Sequence, residues 1–237
     1  MVLSITQTPS PNFDDRGDIA PDILLLHYTG MKSGPAALAR LCDAASRVSA
    51  HYLVEEDGTI FQMVAEDKRA WHAGVSSWGG ADNINARSVG VEIVNPGHEW
   101  GYRPFPDRQI DSVVALSREV CRRWQIRPAR VLAHSDVAPL RKEDPGELFP
   151  WRRLAAAELA LGPYEGPADA ALDHGACLKM LGEIGYGVSE AGAVAALLAF
   201  QRRFCPAALG QGMSPLVKAA IADVHGRMAA SGAAAPL

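Results

Sequence analysis

The stretch "DILLLHYT", residues 22–29, decides the fold. Its apolar residues run consecutively through Ile23, Leu24, Leu25 and Leu26 instead of alternating with polar ones. That pattern fits a strand buried on both faces, the kind found in a sheet covered by helices. His27 then stands at the strand's C-terminal end. Downstream, "GPAALARLCDAASRV" (34–48) sets Leu38, Leu41, Cys42 and Ala45 at i, i+3, i+4 and i+7, which predicts an amphipathic helix. "HYLVEEDGTIFQMV" (51–64) joins two β-prone runs through Asp57-Gly58, a dipeptide that predicts a type I′ hairpin. In "SVGVEIV" (88–94), Val89, Val91 and Ile93 alternate with Gly90, Glu92 and Val94, so one carboxylate sits in mid-strand on the face opposite three apolar side chains.

The apolar positions of residues 107–124 (Ile110, Val113, Val114, Val120, Cys121 and Trp124, with Ser117 on the same line) keep a 3.6 period and predict a long packed helix. "ARVLA" (129–133) reads as a short strand delivering His134, and "PWRRLAAAELAL" (150–161) as a helix with Pro150 at its first position. Strands alternating with helices, plus a hairpin, predict an α/β domain with a mixed central sheet covered by helices. This domain is expected to span 1–162. "LGPYEGPADA" (161–170) is the best linker in the chain. Beyond it, 169–185, 189–204 and 214–228 read as three short helices, a small C-terminal bundle over 168–230, followed by a small-residue tail, "MAASGAAAPL", expected to fray.

A chain that is 48% hydrophobic and 21% charged has ordinary globular composition. Its net charge of -4 argues against a nucleic-acid partner, because phosphate binding needs a basic footprint. Cys42, Cys121, Cys177 and Cys205 show no CxxC spacing and read as reduced, buried small hydrophobes. The opening residues "MVLSITQTPSPNFDDRG" carry neither a basic segment nor a sustained apolar one, and no run approaches the length of a membrane span. The expectation is a cytoplasmic protein, or a periplasmic one if a leader precedes Met1. The oligomeric state is not legible.

Chemistry gathers at the strand ends. His27 and His134 each close an apolar strand, and Asp144 follows ten positions after His134 on a loop turned by Pro145-Gly146. Two imidazoles and one carboxylate leave a fourth tetrahedral position open, the composition of a catalytic rather than a structural zinc site. Each residue also has an ordinary reading: a strand-end His is commonly just hydrogen-bonded, and an Asp before Pro-Gly commonly forms a turn. Glu92 could equally be a solvated carboxylate on an open sheet face, and Lys142 a surface cation.

Five stretches in order, "LLLHYTG", "VSAHYLVEEDGTI", "RAWHAGVSSWGG", "NARSVGVEIVN" and "AHSDVAPLRKEDPG", span most of residues 22–150. They resemble the successive motifs of the zinc-dependent N-acetylmuramoyl-L-alanine amidases, the family that includes phage T7-type lysozyme and the peptidoglycan recognition proteins. The similarity is greatest to the branch whose third ligand is Asp rather than Cys. The resemblance implies that His27, His134 and Asp144 bind Zn2+ and that Glu92 and Lys142 are the essential residues that do not. It places His51, His72, Trp71 and Asn85 along the substrate cleft, while His98, His174 and His225 fall outside the motifs as surface residues. "LKMLGEIGYGVSEAGAVAALLAFQRRF" (178–204) resembles a three-helix peptidoglycan-binding domain, although "LGQGMSP" replaces the elements that usually follow. Leu181, Leu197, Phe200 and Phe204 would form the core of such a bundle whether or not it binds glycan.

The resemblance implies hydrolysis of the amide between N-acetylmuramic acid, including its 1,6-anhydro form, and the L-alanine of a stem peptide. Muropeptides or murein would be the partners. The rival readings are a non-catalytic muropeptide-recognition module on the same fold and a structural protein using its helical bundle to hold a partner.

Overall fold

Residues 23–28 form an interior strand, paired along its whole length with one neighbour and over Leu24–Leu26 with the other. The computed structural model describes residues 3–168, 172–189 and 191–231. Its strands are β1 (Ile5–Gln7), β2 (Phe13–Asp15), β3 (Ile23–Tyr28), β4 (Tyr52–Val54), β5 (Ile60–Gln62), β6 (Lys68–Ala70), β7 (Ser77–Trp78), β8 (Ala81–Asp82), β9 (Ser88–Ile93) and β10 (Val131–Ala133). Its helices are α1 (Gly34–Cys42), α2 (Ile84–Arg87), α3 (Gly97–Trp100), α4 (Asp107–Trp124), α5 (His134–Val137), α6 (Trp151–Ala156), α7 (His174–Ile184), α8 (Ala193–Phe204) and α9 (Pro215–Ala230). Six strands make one mixed sheet in the order β1-β5-β4-β9-β3-β10. The β4–β5 hairpin is its antiparallel pair, and the other neighbours run parallel.

Register decides which side chains meet. His27 on β3 pairs with Glu92 on β9, Leu53 on β4 pairs with the same Glu92, and Ala133 on β10 pairs with Leu26. Paired residues of parallel strands project to one face, so Glu92 and His27 stand side by side at the strands' C-terminal ends, and His134 emerges next to them. In an open parallel sheet this edge is where ligands bind.

The two faces have separate covers. Leu24, Leu26, Val89, Val91, Ile93 and Val131 face α4, whose Ile110, Val113, Leu116 and Val120 are buried against them. Burial of each such side chain contributes about 1.5–3 kcal/mol relative to exposure. On the other face Ile23, Leu25 and Leu132 join one continuous apolar cluster with Leu181 and Ile184 of α7, Phe200 and Phe204 of α8, and Ile221 and Val224 of α9. The C-terminal helices thus share one apolar core with the sheet face from which His27 and Glu92 project, with α8 packed against α5.

Several elements differ from their sequence reading. The helix read over 34–48 stops at Cys42, because the Asp43 carboxylate accepts the Ala45 N–H at 2.9 Å and opens a separate 3₁₀ turn, leaving Ala45 exposed. The Asp57-Gly58 turn is not type I′. Gly58 alone takes a positive φ (90°), with Gly58 N–H bonded to Glu55 O and Glu55 N–H to Thr59 O, the longer hairpin loop that ends in a left-handed glycine. Pro150 precedes α6 instead of opening it. Cys42 is half-buried, whereas Cys121, Cys177 and Cys205 are buried, and all are free. The C-terminal helices begin at His174, Ala193 and Pro215. Residues 169–171, 190 and the tail 232–237 lie outside the described residues. Among the described residues, no helix is long and apolar enough to cross a membrane.

His51 lies fully buried beneath the sheet's edge, with Nδ1 accepting the Gly90 N–H (2.9 Å) and Nε2 at 3.0 Å from Lys68 O and 2.9 Å from the Arg16 guanidinium. Burial, joined by the neighbouring Arg16 charge, pushes its pKa down to about 3 from 6.5. Below pH 6.5 the unfolded chain binds a proton there that the folded chain refuses, so stability falls with pH, by about 1.4 kcal/mol per unit for such a group. Urea unfolding of chelator-treated protein at pH 7 and pH 5 is expected to show this loss. A His51→Gln variant is expected to lose less than wild type over the same interval.

Candidate metal centre

Three elements deliver three buried side chains to one point: β3 brings His27, the first turn of α5 brings His134, and the loop after α5 brings Asp144. His27 Nδ1 and His134 Nδ1 are 2.9 Å apart, and Asp144 Oδ2 lies 3.2 Å from the first and 3.0 Å from the second. A zinc tetrahedron with bonds of about 2.0–2.1 Å has ligand-to-ligand edges of roughly 3.3 Å. The triangle nearly matches one face of it.

The surrounding hydrogen bonds assign the protons. His134 Nε2 faces the Ala73 carbonyl at 3.1 Å; a carbonyl only accepts, so the proton is on Nε2 and Nδ1 is bare. Ser88 Oγ donates its one hydrogen to Ile84 O at 2.6 Å and is left to accept from His72 Nε2, 3.3 Å away. His72 Nδ1 is therefore the acceptor for His27 Nε2–H at 3.0 Å, which leaves His27 Nδ1 bare as well. Burial, with His134 beside it, lowers the His27 pKa to about 4, so the ring is neutral at pH 7. The triad thus presents two lone pairs and a carboxylate oxygen to one another with no proton between the imidazoles. That donor set fits a divalent cation and is poorly served by a hydrogen bond.

His72 reaches this position because β9 carries glycine at 90: a Cβ there would sit 2.5 Å from the His72 ring. The Asp144 loop is fastened by Tyr102, whose hydroxyl donates to Pro145 O (2.8 Å) and accepts Leu148 N–H (3.0 Å). Ser135 N–H bonds Asp144 O at 3.0 Å and ties the two ligand-bearing segments together.

The triad opens into a cavity of about 410 Å³, also lined by Glu92, Lys142, Trp71 and His72 and walled on one side by Ala37, Arg40 and Leu41 of α1. Such a volume accepts a small-molecule ligand. Glu92 Oε2 is buried without a hydrogen-bond partner. Burial, with the Asp144 charge behind it, raises its pKa well above 4.5, and Lys142 works in the opposite direction. The Lys142 ammonium makes no ion pair among the described residues. His51 and Asn85 are placed differently from the rest: His51 lies below the cavity, bonded to Gly90 and Lys68, and Asn85 Oδ1 accepts the N–H groups of His72 (3.1 Å) and Ala73 (2.7 Å), holding the loop and not the cavity wall. His98 and His174 are exposed, and His225 is half-buried.

Residues 17–147 match the N-acetylmuramoyl-L-alanine amidase family. The chain belongs to this family. It is 36% identical over 187 residues to the N-acetylmuramoyl-L-alanine amidase AmiD of Escherichia coli K12, covering 70% of this chain and 67% of that protein. It is 33% identical over 173 residues to the 1,6-anhydro-N-acetylmuramyl-L-alanine amidase AmpD of Enterobacter cloacae, covering 65% of this chain and 90% of AmpD. Its fold superposes on E. coli AmiD, solved with anhydro-N-acetylmuramic acid-L-Ala-D-gamma-Glu-L-Lys, at a TM-score of 0.78 with 30% identity over 94% of both chains. AMPDH3 of Pseudomonas aeruginosa gives 0.79 with 27% identity, covering 95% of this chain and 99% of that one. Coverage this complete takes in the C-terminal helices as well as the sheet.

The sequence reading did not single out Ser88 or Asp136. Asp136 was visible in principle, as a charge inside the apolar run "RVLAHSDVA" (130–138); a serine opening a strand gives no comparable signal. Because His72 holds the His27 tautomer, His72→Phe is expected to weaken zinc binding by about 10- to 100-fold in a chelator competition, with the fold retained. An unchanged affinity would show that the tautomer is set elsewhere.

Proposed function

We propose that the protein is a zinc-dependent amidase that hydrolyses the amide between N-acetylmuramic acid, including its 1,6-anhydro form, and the L-alanine of the stem peptide. The observation that carries this reading is the buried triad of His27, His134 and Asp144, with both imidazole Nδ1 atoms bare, at the mouth of a cavity shared with Glu92 and Lys142. The names of AmpD and the ligand of AmiD support the substrate class. AMPDH3, solved with an anhydromuramic pentapeptide, supports it too. In this reading residues 1–162 are the catalytic unit and 168–230 the helical unit.

A zinc ion held by the triad would supply Lewis acidity, polarising the scissile carbonyl and lowering the pKa of water from ~15.7 to about 7. Glu92, with an unpartnered carboxyl oxygen in the cavity, accepts the proton of the attacking water as the new C–O bond forms. It then delivers that proton to the alanine nitrogen as the C–N bond breaks. The ammonium of Lys142, without a competing partner, faces the negative charge that develops on the carbonyl oxygen. The products are the free lactyl carboxylate of the sugar and the free amine of the peptide. Trp71 and His72 supply the aromatic wall against which the substrate is held.

Incubation with anhydro-muropeptide is expected to release the L-alanine-terminated peptide, with chelation abolishing and zinc restoring the activity. Failure to release it at any metal loading would remove this reading. Glu92→Gln is expected to lower kcat by about 10²–10⁴-fold and Lys142→Met by about 10²–10³-fold, both with metal content unchanged. The acid limb of kcat/KM should lie above pH 4.5, since Glu92 accepts a proton only when ionised and its burial raises that threshold.

A further inference from the structure

We infer that the adjacent arginines Arg202 and Arg203 of α8 are positioning residues for the metal centre, each gripping one of the two segments that carry His134 and Asp144. The inference rests on the reading of the triad as a metal site. Neighbours on a helix point about 100° apart, so two consecutive side chains can reach two different segments.

Arg203 is buried and directs Nη1 to Asp136 Oδ2 and Nη2 to Val131 O (2.7 Å). Asp136 is itself fully buried. Its Oδ2 accepts the Ala133 N–H at 2.8 Å, and its Oδ1 accepts the Tyr186 hydroxyl at 2.6 Å, from just beyond α7. Ala133 and Asp136 bracket His134, so this bond pins the turn that aims the imidazole. The Arg203 guanidinium also lies over the Trp151 ring, 4.3 Å from its centroid.

Arg202, its side chain only 11% exposed, donates from Nη2 to Glu143 Oε1 (3.0 Å) and from Nε to Glu147 Oε2 (3.3 Å). Glu143 and Glu147 flank Asp144 on either side. His98 Nε2 also lies 3.2 Å from both oxygens of the Glu147 carboxylate.

The need for such holders follows from the topology. His27 sits in a six-residue strand hydrogen-bonded on both edges, but His134 follows a three-residue edge strand, and Asp144 lies on a loop outside any strand. Two of the three ligands therefore depend on contacts from outside the sheet, and α8 adds its arginines to the bonds of Tyr102 and the Ser135 N–H. This assigns the "AFQRRF" segment (199–204) a task at the catalytic centre rather than at a glycan surface.

The test uses the full chain, with zinc affinity measured by chelator competition and ligand geometry by the d–d absorption of the cobalt-substituted protein. Arg202→Gln is expected to keep its Tm within a few degrees, bind zinc about 10-fold or more weakly and shift the cobalt spectrum, with Arg202→Lys recovering part of the loss. Arg203→Met would strand a buried Asp136 carboxylate and risk unfolding. Tyr186→Phe tests that half instead, with a few-fold loss of zinc affinity expected. Wild-type affinity and cobalt spectrum in Arg202→Gln overturn the inference for the Asp144 loop, and the same in Tyr186→Phe overturns it for the His134 turn. A wild-type chain that binds no zinc removes the metal reading itself.

Discussion

Two deprotonated imidazole nitrogens and a carboxylate oxygen held within 3.2 Å of one another, away from water, are the constraint on which the rest of the structure depends. Left alone, three electron-rich atoms held this close in a buried pocket repel. They stay together because their outward faces are each committed to partners: Ala73 O for His134, the His72–Ser88–Ile84 chain for His27, and Ser135 N–H on the backbone of Asp144. Each commitment removes a proton from the inside of the triad or fixes a backbone beside it. The result is a site prepared for a cation before the cation arrives.

The sheet supplies the coordinates of that site, and the helices supply its rigidity. Parallel register sets His27 beside Glu92, and the alternation of β9 sends Glu92 to the cavity while Val89, Val91 and Ile93 go to the α4 face. The opposite face of the sheet is covered by α7, α8 and α9, which share one apolar cluster with Ile23, Leu25 and Leu132. Of these helices, α8 carries Arg202 and Arg203, which bond the Asp144 loop and Asp136. Packing and positioning are thus done by one set of elements, and a change in the C-terminal helices is felt at the metal centre through a few hydrogen bonds.

Periodicity made most of the fold legible in the sequence. The run at 23–26, the alternation at 89–93 and the 3.6 repeat at 107–124 are long enough for burial to leave its mark, and those elements stand where they were expected. Local polar competition was less visible: Asp43 ends α1 with its own side chain, and Gly58 alone takes the left-handed backbone of its turn. The candidate ligands were legible as strand-end residues, and motif resemblance selected them from other polar residues with equally ordinary explanations. The tautomer chain and the arginine grips were not legible, because most of their bonds join residues 16 to 72 positions apart, such as Ser88 with His72 and Arg203 with Val131, whose proximity exists only after folding. His51 and Asn85 stood in the right motifs, yet they hold the backbone around the cavity instead of facing it.

The most direct test of the central claim is X-ray absorption at the zinc edge of the purified protein. The account requires a coordination shell of nitrogen and oxygen alone at about 2.0–2.1 Å, with imidazole scattering from two histidines. Sulfur scattering at about 2.3 Å, or histidine scattering unaltered by replacing both His27 and His134, would contradict it.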